Sequence, residues 1–423
     1  MLFRSNFGPE GPETILAQRF GGPVMFAAAA EENVAVLSDR RGDALCGLLS
    51  AGYNLKLRRI RVYIPERPVG TAAEVAGMMR DFVPVARILI GVKKLKIFTF
   101  GPRPQDFFAC NAPIQGLYDL GAEVQENSEL DLYVSFKEHL EDPRVPGVVE
   151  DMKRELGSAL RYAGILPRLA ALELTLLDWK DKNLGASEYC AFANKCWPAF
   201  QTEFKCVPCY VNSRLASRLM PVACEVDIYG ALSEYILACA SLEPPTILDI
   251  NNSVPAELYE QEIGGASGYR AGETFMGFHC GNTPSCLLRD PEMRYQRIMK
   301  RSLEPDSEPN ITRGTMEGDL REGDVTLFRL HSTADGRLIS YVAQGEVLPA
   351  RTHSFGSIGV IAIPEMERFY RHVLVENGFP HHGGVAMSHV GKTLFSALKL
   401  MGVEQIGYNQ PRGVLYPSEN PFA

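Results

Sequence analysis

Short apolar runs alternate with helix-length amphipathic stretches through the first half of the chain, and no other feature of the sequence limits the fold as much. Strands separated by helical crossovers run parallel, because a tight turn cannot return a strand in its original direction. Pro9–Phe20 reads as a helix, Pro23–Ala30 as a strand, Asp43–Asn54 as a helix and Ile60–Ile64 as a second strand. Ala72–Gly91 follows as a long amphipathic helix. Lys96–Thr99 then restarts the pattern with a strand, followed by the Gly101-Pro102-Arg103-Pro104 loop. A strand at Glu123–Gln125 and helices at Val145–Tyr162 and Ala186–Phe200 complete it, the last with Trp197 and Phe200 on one face. An α/β layer ordinarily begins with a strand. This chain reads as opening on a helix, partway through a β-α-β unit, so an N-terminal piece is expected to be missing from the sequence.

Near residue 240 the texture changes. Asp324–Ser332 and Arg337–Leu348 are β-rich runs joined by Thr333-Ala334-Asp335-Gly336, and Asp-Gly between alternating runs is a hairpin signal. Helices return at Pro364–Asn377, with proline at its start and Gly378 at its end, and at about Met387–Met401, stopped by Gly402. The expected fold class is α/β. Two Rossmann-like α/β domains, the first incomplete (1–90) and the second central (91–240), precede an α+β C-terminal domain (241–423) with an antiparallel part.

Composition removes whole classes of function. Lys+Arg 43 against Asp+Glu 51, a net charge of -8, gives no basic surface for nucleic acid. The longest apolar runs fall well short of the roughly 18–20 residues that span a membrane, and the N-terminus shows no secretory pattern. Ten cysteines in 423 residues are too sparse for a disulfide framework, so reduced thiols and a cytoplasmic location are expected. Cys206 and Cys209 have CxxC spacing with Cys196 nearby, but no second pair or spaced histidines follow, which fits a buried thiol cluster.

Titratable side chains gather where strands give way to loops. In Pro221-Val222-Ala223-Cys224-Glu225-Val226-Asp227, Glu225 leads into a helix at Ala231–Ala240 and suits either a first-turn carboxylate or a ligand. In Thr246-Ile247-Leu248-Asp249-Ile250-Asn251-Asn252, the strand Ile247–Ile250 holds Asp249 in an apolar setting that is costly unless the carboxylate is paired or metal-bound. An Asx turn is the alternative there. Gly378-Phe379-Pro380-His381-His382-Gly383-Gly384 carries two adjacent histidines that do not easily face one metal, so at most one is expected as a ligand. His389 is read as a core residue of the next helix, and His279, in Phe278-His279-Cys280-Gly281-Asn282, precedes a turn. Glu225, Asp249 and one histidine of 381–382 form an oxygen-rich set suited to Mn²⁺ or Mg²⁺, with Co²⁺ also acceptable. No GxxxxGK[ST], GxSxG or HExxH competes with it.

These segments, with Thr352-His353-Ser354-Phe355-Gly356 and Asn409-Gln410-Pro411, resemble the L-fucose isomerase and L-arabinose isomerase superfamily over nearly the whole chain. The resemblance implies metal ligands Glu225, Asp249 and His382, with both carboxylates serving as acid and base. It implies that His279 binds either metal or sugar; beside it, His381 as the second histidine and Asn252 at a strand's carboxyl end are expected to contact substrate. The implied activity is aldose–ketose isomerisation of a monosaccharide through a cis-enediol, by a homo-oligomer such as a hexamer, in which one subunit's first domain closes over a neighbour's site. A catalytically silent sugar-binding or regulatory protein on the same scaffold is the alternative, and a lyase or epimerase of enediolate type a third.

Overall fold

The computed structural model describes residues 1–33, 41–197, 200–265, 267–298 and 313–422. They fall into two compact units, Met1–Gly91 with Lys392–Val403, and Val92–Gly391 with Glu404–Ala423.

The first unit contains a three-stranded sheet in the order β1 (Leu2–Arg4), β2 (Phe26–Ala29), β3 (Val69–Gly70), all parallel. Helix α1 spans Gly11–Phe20, α2 Ala44–Leu57 and α3 Ala72–Lys93. Two expectations are corrected here. The described chain opens on a strand rather than on a helix; Leu2–Arg4 was illegible because three residues carry no period. Ile60–Ile64 is no strand; its ladder pairing among the described residues is a single Met25–Tyr63 bridge, while Ile60 and Val62 pack on the core beneath the sheet. Pro65 and Pro68 explain this, since proline removes ladder donors and constrains its predecessor. Helix α2 buries Ala44, Leu48, Ala51 and Leu55 against Leu2, Phe26 and Ala28. Those positions recur at helical spacing, as an amphipathic face requires. Its opposite face is also apolar, with Leu45, Leu49, Tyr53 and Leu57 between 55% and 68% exposed.

In the second unit, four parallel strands lie in the order β5-β4-β6-β7: β4 is Leu95–Phe100, β5 Glu123–Asn127, β6 Tyr189–Ala193 and β7 Val222–Ala223. Strand β6 replaces the helix expected at Ala186–Phe200, of which residues 198 and 199 lie outside the described set. Cys190–Ala193 is buried throughout, so neither the two-residue nor the helical period shows in its sequence. Helices α4 (Glu129–His139), α5 (Val145–Leu156), α6 (Leu166–Asn183), α7 (Cys209–Ser217) and α8 (Ile228–Ser241) belong to the same unit. The expected Val145–Tyr162 helix stops early, at Gly157 with φ 49°. The thiol cluster is buried as expected, with Cys196, Cys206 and Cys209 at most 3% exposed.

A nine-stranded mixed sheet follows, in the order β10-β11-β14-β9-β8-β15-β12-β13-β16. Its strands are β8 (Thr246–Ser253), β9 (Thr274–His279), β10 (Leu288–Tyr295), β11 (Arg313–Leu320), β12 (Gly323–Ser332), β13 (Leu338–Leu348), β14 (Ser357–Ala362), β15 (His382–Ala386) and β16 (Gln405–Tyr408). The Asp335-Gly336 hairpin holds, with β12 and β13 paired antiparallel from Gly323↔Val347 to Ser332↔Leu338. The last helix is Gly391–Met401, shorter than read, which leaves His389 before it, half-exposed and donating from its ring to the Gly345 carbonyl at 2.9 Å. No helix among the described residues is long and apolar enough to cross a membrane.

Helix α8 packs on β12 and β15 and carries Glu234, 2% exposed with Oε2 lacking any hydrogen-bond partner. Burial pushes its carboxyl up to about 8, against opposing and reinforcing charges from His382, Asp227 and Arg329. Between the ordinary carboxylate range and that value the folded chain holds a proton that the unfolded chain has lost. Stability from this group is therefore fully present below about pH 4.5 and declines as pH rises towards 8, by roughly 1.4 kcal/mol per pH unit. Glu234→Gln is expected to flatten that slope. Urea unfolding of both proteins from pH 5 to 8 measures it, and a constant difference between them across the range would exclude it.

Candidate metal centre

Glu225 lies two residues beyond the carboxyl end of β7, the edge of a parallel sheet where functional groups collect. It sits at φ 58°, and the next residue, Val226, at φ 57°. Two successive non-glycine residues in the left-handed region, one of them β-branched, are strained. Backbone hydrogen bonds hold the turn: Val226 N–H donates to Asn194 O, just beyond β6, at 2.9 Å and Asp227 N–H to Cys224 O at 3.1 Å. The turn ends on Asp227, whose side chain caps α8 by accepting from Gly230 N–H at 2.9 Å.

The large sheet brings the other groups to this turn. Strands β8 and β15 pair antiparallel with Asp249 opposite His382, and Asp249 faces Phe278 of β9 on its other side, next to His279. A cross-strand register thus joins residues more than a hundred positions apart. His382 is fully buried, with Nε2 3.5 Å from Glu225 Oε2 and 3.4 Å from Asp249 Oδ1. The neighbouring His381 also faces the carboxylates, its Nε2 3.5 Å from Glu225 and 3.8 Å from Asp249. Adjacent histidines are expected not to face one metal easily; here both Nε2 atoms face the same two carboxylates. His381 lies just outside β15, so strand alternation does not yet apply, and the two rings lie 4.2 Å apart.

Two observations show that these residues fit a metal ion. Asp249 Oδ1 and His382 Nε2 are buried yet have no hydrogen-bond partner, and a buried polar atom left so is costly. Asp249, His381 and His382 also offer donor atoms within 4.8 Å of one another, as do Cys110, Glu225 and His382. Cis donors on an octahedral ion at 2.0–2.1 Å lie about 3 Å apart, close to the His382 spacings.

The tautomers are set from behind. His382 Nδ1 donates to Asp227 Oδ2 at 2.8 Å, and the same carboxylate takes both terminal nitrogens of the fully buried Arg329 at 2.6 and 2.8 Å. The proton that titrates on His382 is therefore the one on Nε2, and its loss points a lone pair at the carboxylates. Burial pulls the His382 imidazole down, but the hydrogen bond to Asp227, the adjacent Cys110 thiol and the nearby carboxylates hold it well above its ordinary value. Burial likewise pushes the Glu225 carboxyl up, and the imidazoles of His381, His382 and His279 outweigh it, so the net direction is down. His279 is set the opposite way. Its Nδ1 accepts Cys280 N–H at 2.9 Å, and burial lowers its pKa, so the neutral ring carries its single proton on Nε2. That nitrogen is a donor and not a lone pair.

Asn252 is exposed, three residues beyond Asp249, and lines a cavity of about 560 Å³ with Asn251, Phe278, Thr352, Ser354 and Phe355. Residue-level reading missed three participants as site residues. Asp227 stood two positions from Glu225 without a visible role, and Arg329 was the one charge inside the apolar run Val325–Leu330. Cys110, whose Sγ lies 3.8 Å from Glu225 Oε2, carried no signal at all.

Comparison with known proteins agrees with this arrangement. Residues 1–93 match the family described as fucose/sulfoquinovose isomerase, N-terminal domain, and residues 277–408 match the L-fucose isomerase C-terminal domain. A sulfoquinovose isomerase of Alkalicoccus urumqiensis is 28% identical over 307 residues, 72% of this chain and 62% of that protein. One from Priestia aryabhattai is 24% identical over 326 residues, 76% of this chain and 66% of its relative. The chain thus spans a little under two thirds of the length of the relatives it matches. With both family domains matched at its two ends and the carboxylate–histidine cluster between its sheets, the chain belongs to the L-fucose isomerase-like family.

Proposed function

We propose that this chain is a metal-dependent aldose–ketose isomerase acting on a monosaccharide through a cis-enediol. The observation that carries the reading is the unpartnered, fully buried His382 Nε2 set between Glu225 and Asp249. Glu225, Asp249 and His382 would hold the ion, with His381 within reach of the same carboxylates. Mn²⁺ is the proposed occupant, since oxygen-rich donor sets favour hard cations, with Mg²⁺ or Co²⁺ as substitutes. When bound, such an ion polarises a carbonyl and stabilises negative charge as it develops.

The protein's own groups divide the remaining work. One carboxylate, Glu225 or Asp249, takes the proton from C2 of the aldose and delivers it to C1. The other moves a proton between O1 and O2, so the overall reaction neither gains nor loses atoms or electrons. His279 donates its Nε2 proton in a hydrogen bond to a sugar oxygen, a role its tautomer favours over ligation. Asn252 and His381 complete the substrate contacts. The exposed Leu45, Leu49, Tyr53 and Leu57 stripe on α2 supports a homo-oligomer, with a hexamer as the proposed state. Cysteine usage supports a cytoplasmic location, as no disulfide joins any of the ten.

The test is ketose formation with and without Mn²⁺ from a panel of aldoses. Because the relatives bear the name sulfoquinovose isomerase, sulfoquinovose is tried first, then L-fucose, L-arabinose and D-arabinose. Metal-dependent ketose production from a panel member is expected, together with a solution mass above that of one chain. Saturable sugar binding with no product from any aldose would replace the enzyme by the sugar-binding protein.

A further inference from the structure

The loop after β4 places a thiol at the edge of this centre. Pro102, Pro104 and the tight turn Phe108–Cys110 shape it, and Phe107 packs edge-on against both Trp197 and His381. Cys110 is 7% exposed, and its Sγ is within 4.8 Å of a carboxylate oxygen of Glu225 and a ring nitrogen of His382. His382 Nε2 is fully buried, unpartnered by hydrogen bonds, and directed into the same cluster. Two donor sets therefore share Glu225 and His382. One adds Asp249 and is oxygen-rich; the other adds Cys110 and contains sulfur.

We propose that Cys110, Glu225 and His382 form a second, thiolate-containing metal position that takes a thiophilic divalent ion such as Zn²⁺ and thereby blocks the oxygen-rich set. This rests on the metal reading above. Soft sulfur ligands strengthen the preference for zinc over manganese or magnesium, and the set that ends on Asp249 lacks that added preference. On binding, the Sγ–H bond breaks, its proton leaves to solvent, and the sulfur electron pair forms the bond to the ion. No oxidation state changes.

Co²⁺ replaces Zn²⁺ as a visible probe, because a thiolate ligand adds a near-ultraviolet charge-transfer band to its spectrum. Titration of the full chain is expected to produce that band together with visible d–d absorption. Cys110→Ser and Cys110→Ala should abolish the charge-transfer band while retaining d–d absorption. Asp249→Asn should keep the charge-transfer band. Zn²⁺ affinity should fall in the Cys110 variants by at least the roughly 10–100-fold that loss of an outer partner costs. Cobalt binding without a sulfur band overturns the soft site and leaves the metal reading intact. Absence of any cobalt binding overturns both, and the two failures are thereby distinguished.

Discussion

Replacing Glu225 with glutamine is expected to reduce ketose formation by at least the roughly 10²–10⁴-fold that a positioned acid or base contributes, while leaving the fold intact. The side chain keeps its size and its polar end, so the strained turn at φ 58° meets no new demand. What changes is charge. A carboxylate held below its ordinary pKa by three histidines becomes a neutral amide that neither abstracts a proton nor balances a cation. Mn²⁺ affinity should fall alongside turnover, because one of the proposed donors is lost. Turnover, calorimetric metal titration and circular dichroism of the variant separate these effects. Wild-type turnover with metal bound would remove Glu225 from the chemistry.

Asp227→Ala is expected to lower stability by about 3–5 kcal/mol, since it leaves the Arg329 guanidinium buried without a counter-charge. Loss of the α8 cap adds roughly 1 kcal/mol. His382 also loses the acceptor that fixes its Nδ1 proton, and metal affinity should drop about 10–100-fold. The double variant Asp227→Ala/Arg329→Met distinguishes stability from positioning. Removing the orphaned cation should restore part of the stability without restoring metal affinity. Urea unfolding and Mn²⁺ titration of the single and double variants measure both. If metal affinity returned together with stability, Asp227 would be a structural residue only.

Legibility differed by element for physical reasons. Helices α1, α2 and α3 were readable because one buried face imposes a helical period, and the β12–β13 hairpin because Asp-Gly permits few other turns. Strand β6 was not, since burial on both faces erases any period. At the centre, Glu225, Asp249 and one histidine of 381–382 stood out from their local settings as a set, and the family likeness chose His382 from the two histidines.

The sequence by itself determined the α/β alternation, the late antiparallel region and the residue types available for a hard cation. Only the tertiary structure decided how those residues meet. The β8–β15 register sets Asp249 against His382, and the Asp227–Arg329 pair arrives from a turn and a strand a hundred residues apart. A histidine's tautomer likewise depends on what lies behind it: Asp227 leaves His382 Nε2 open for a metal, while the Cys280 amide keeps a proton on His279 Nε2. Hydrogen bonds across such sequence distances leave no local pattern, so chain order alone cannot specify them.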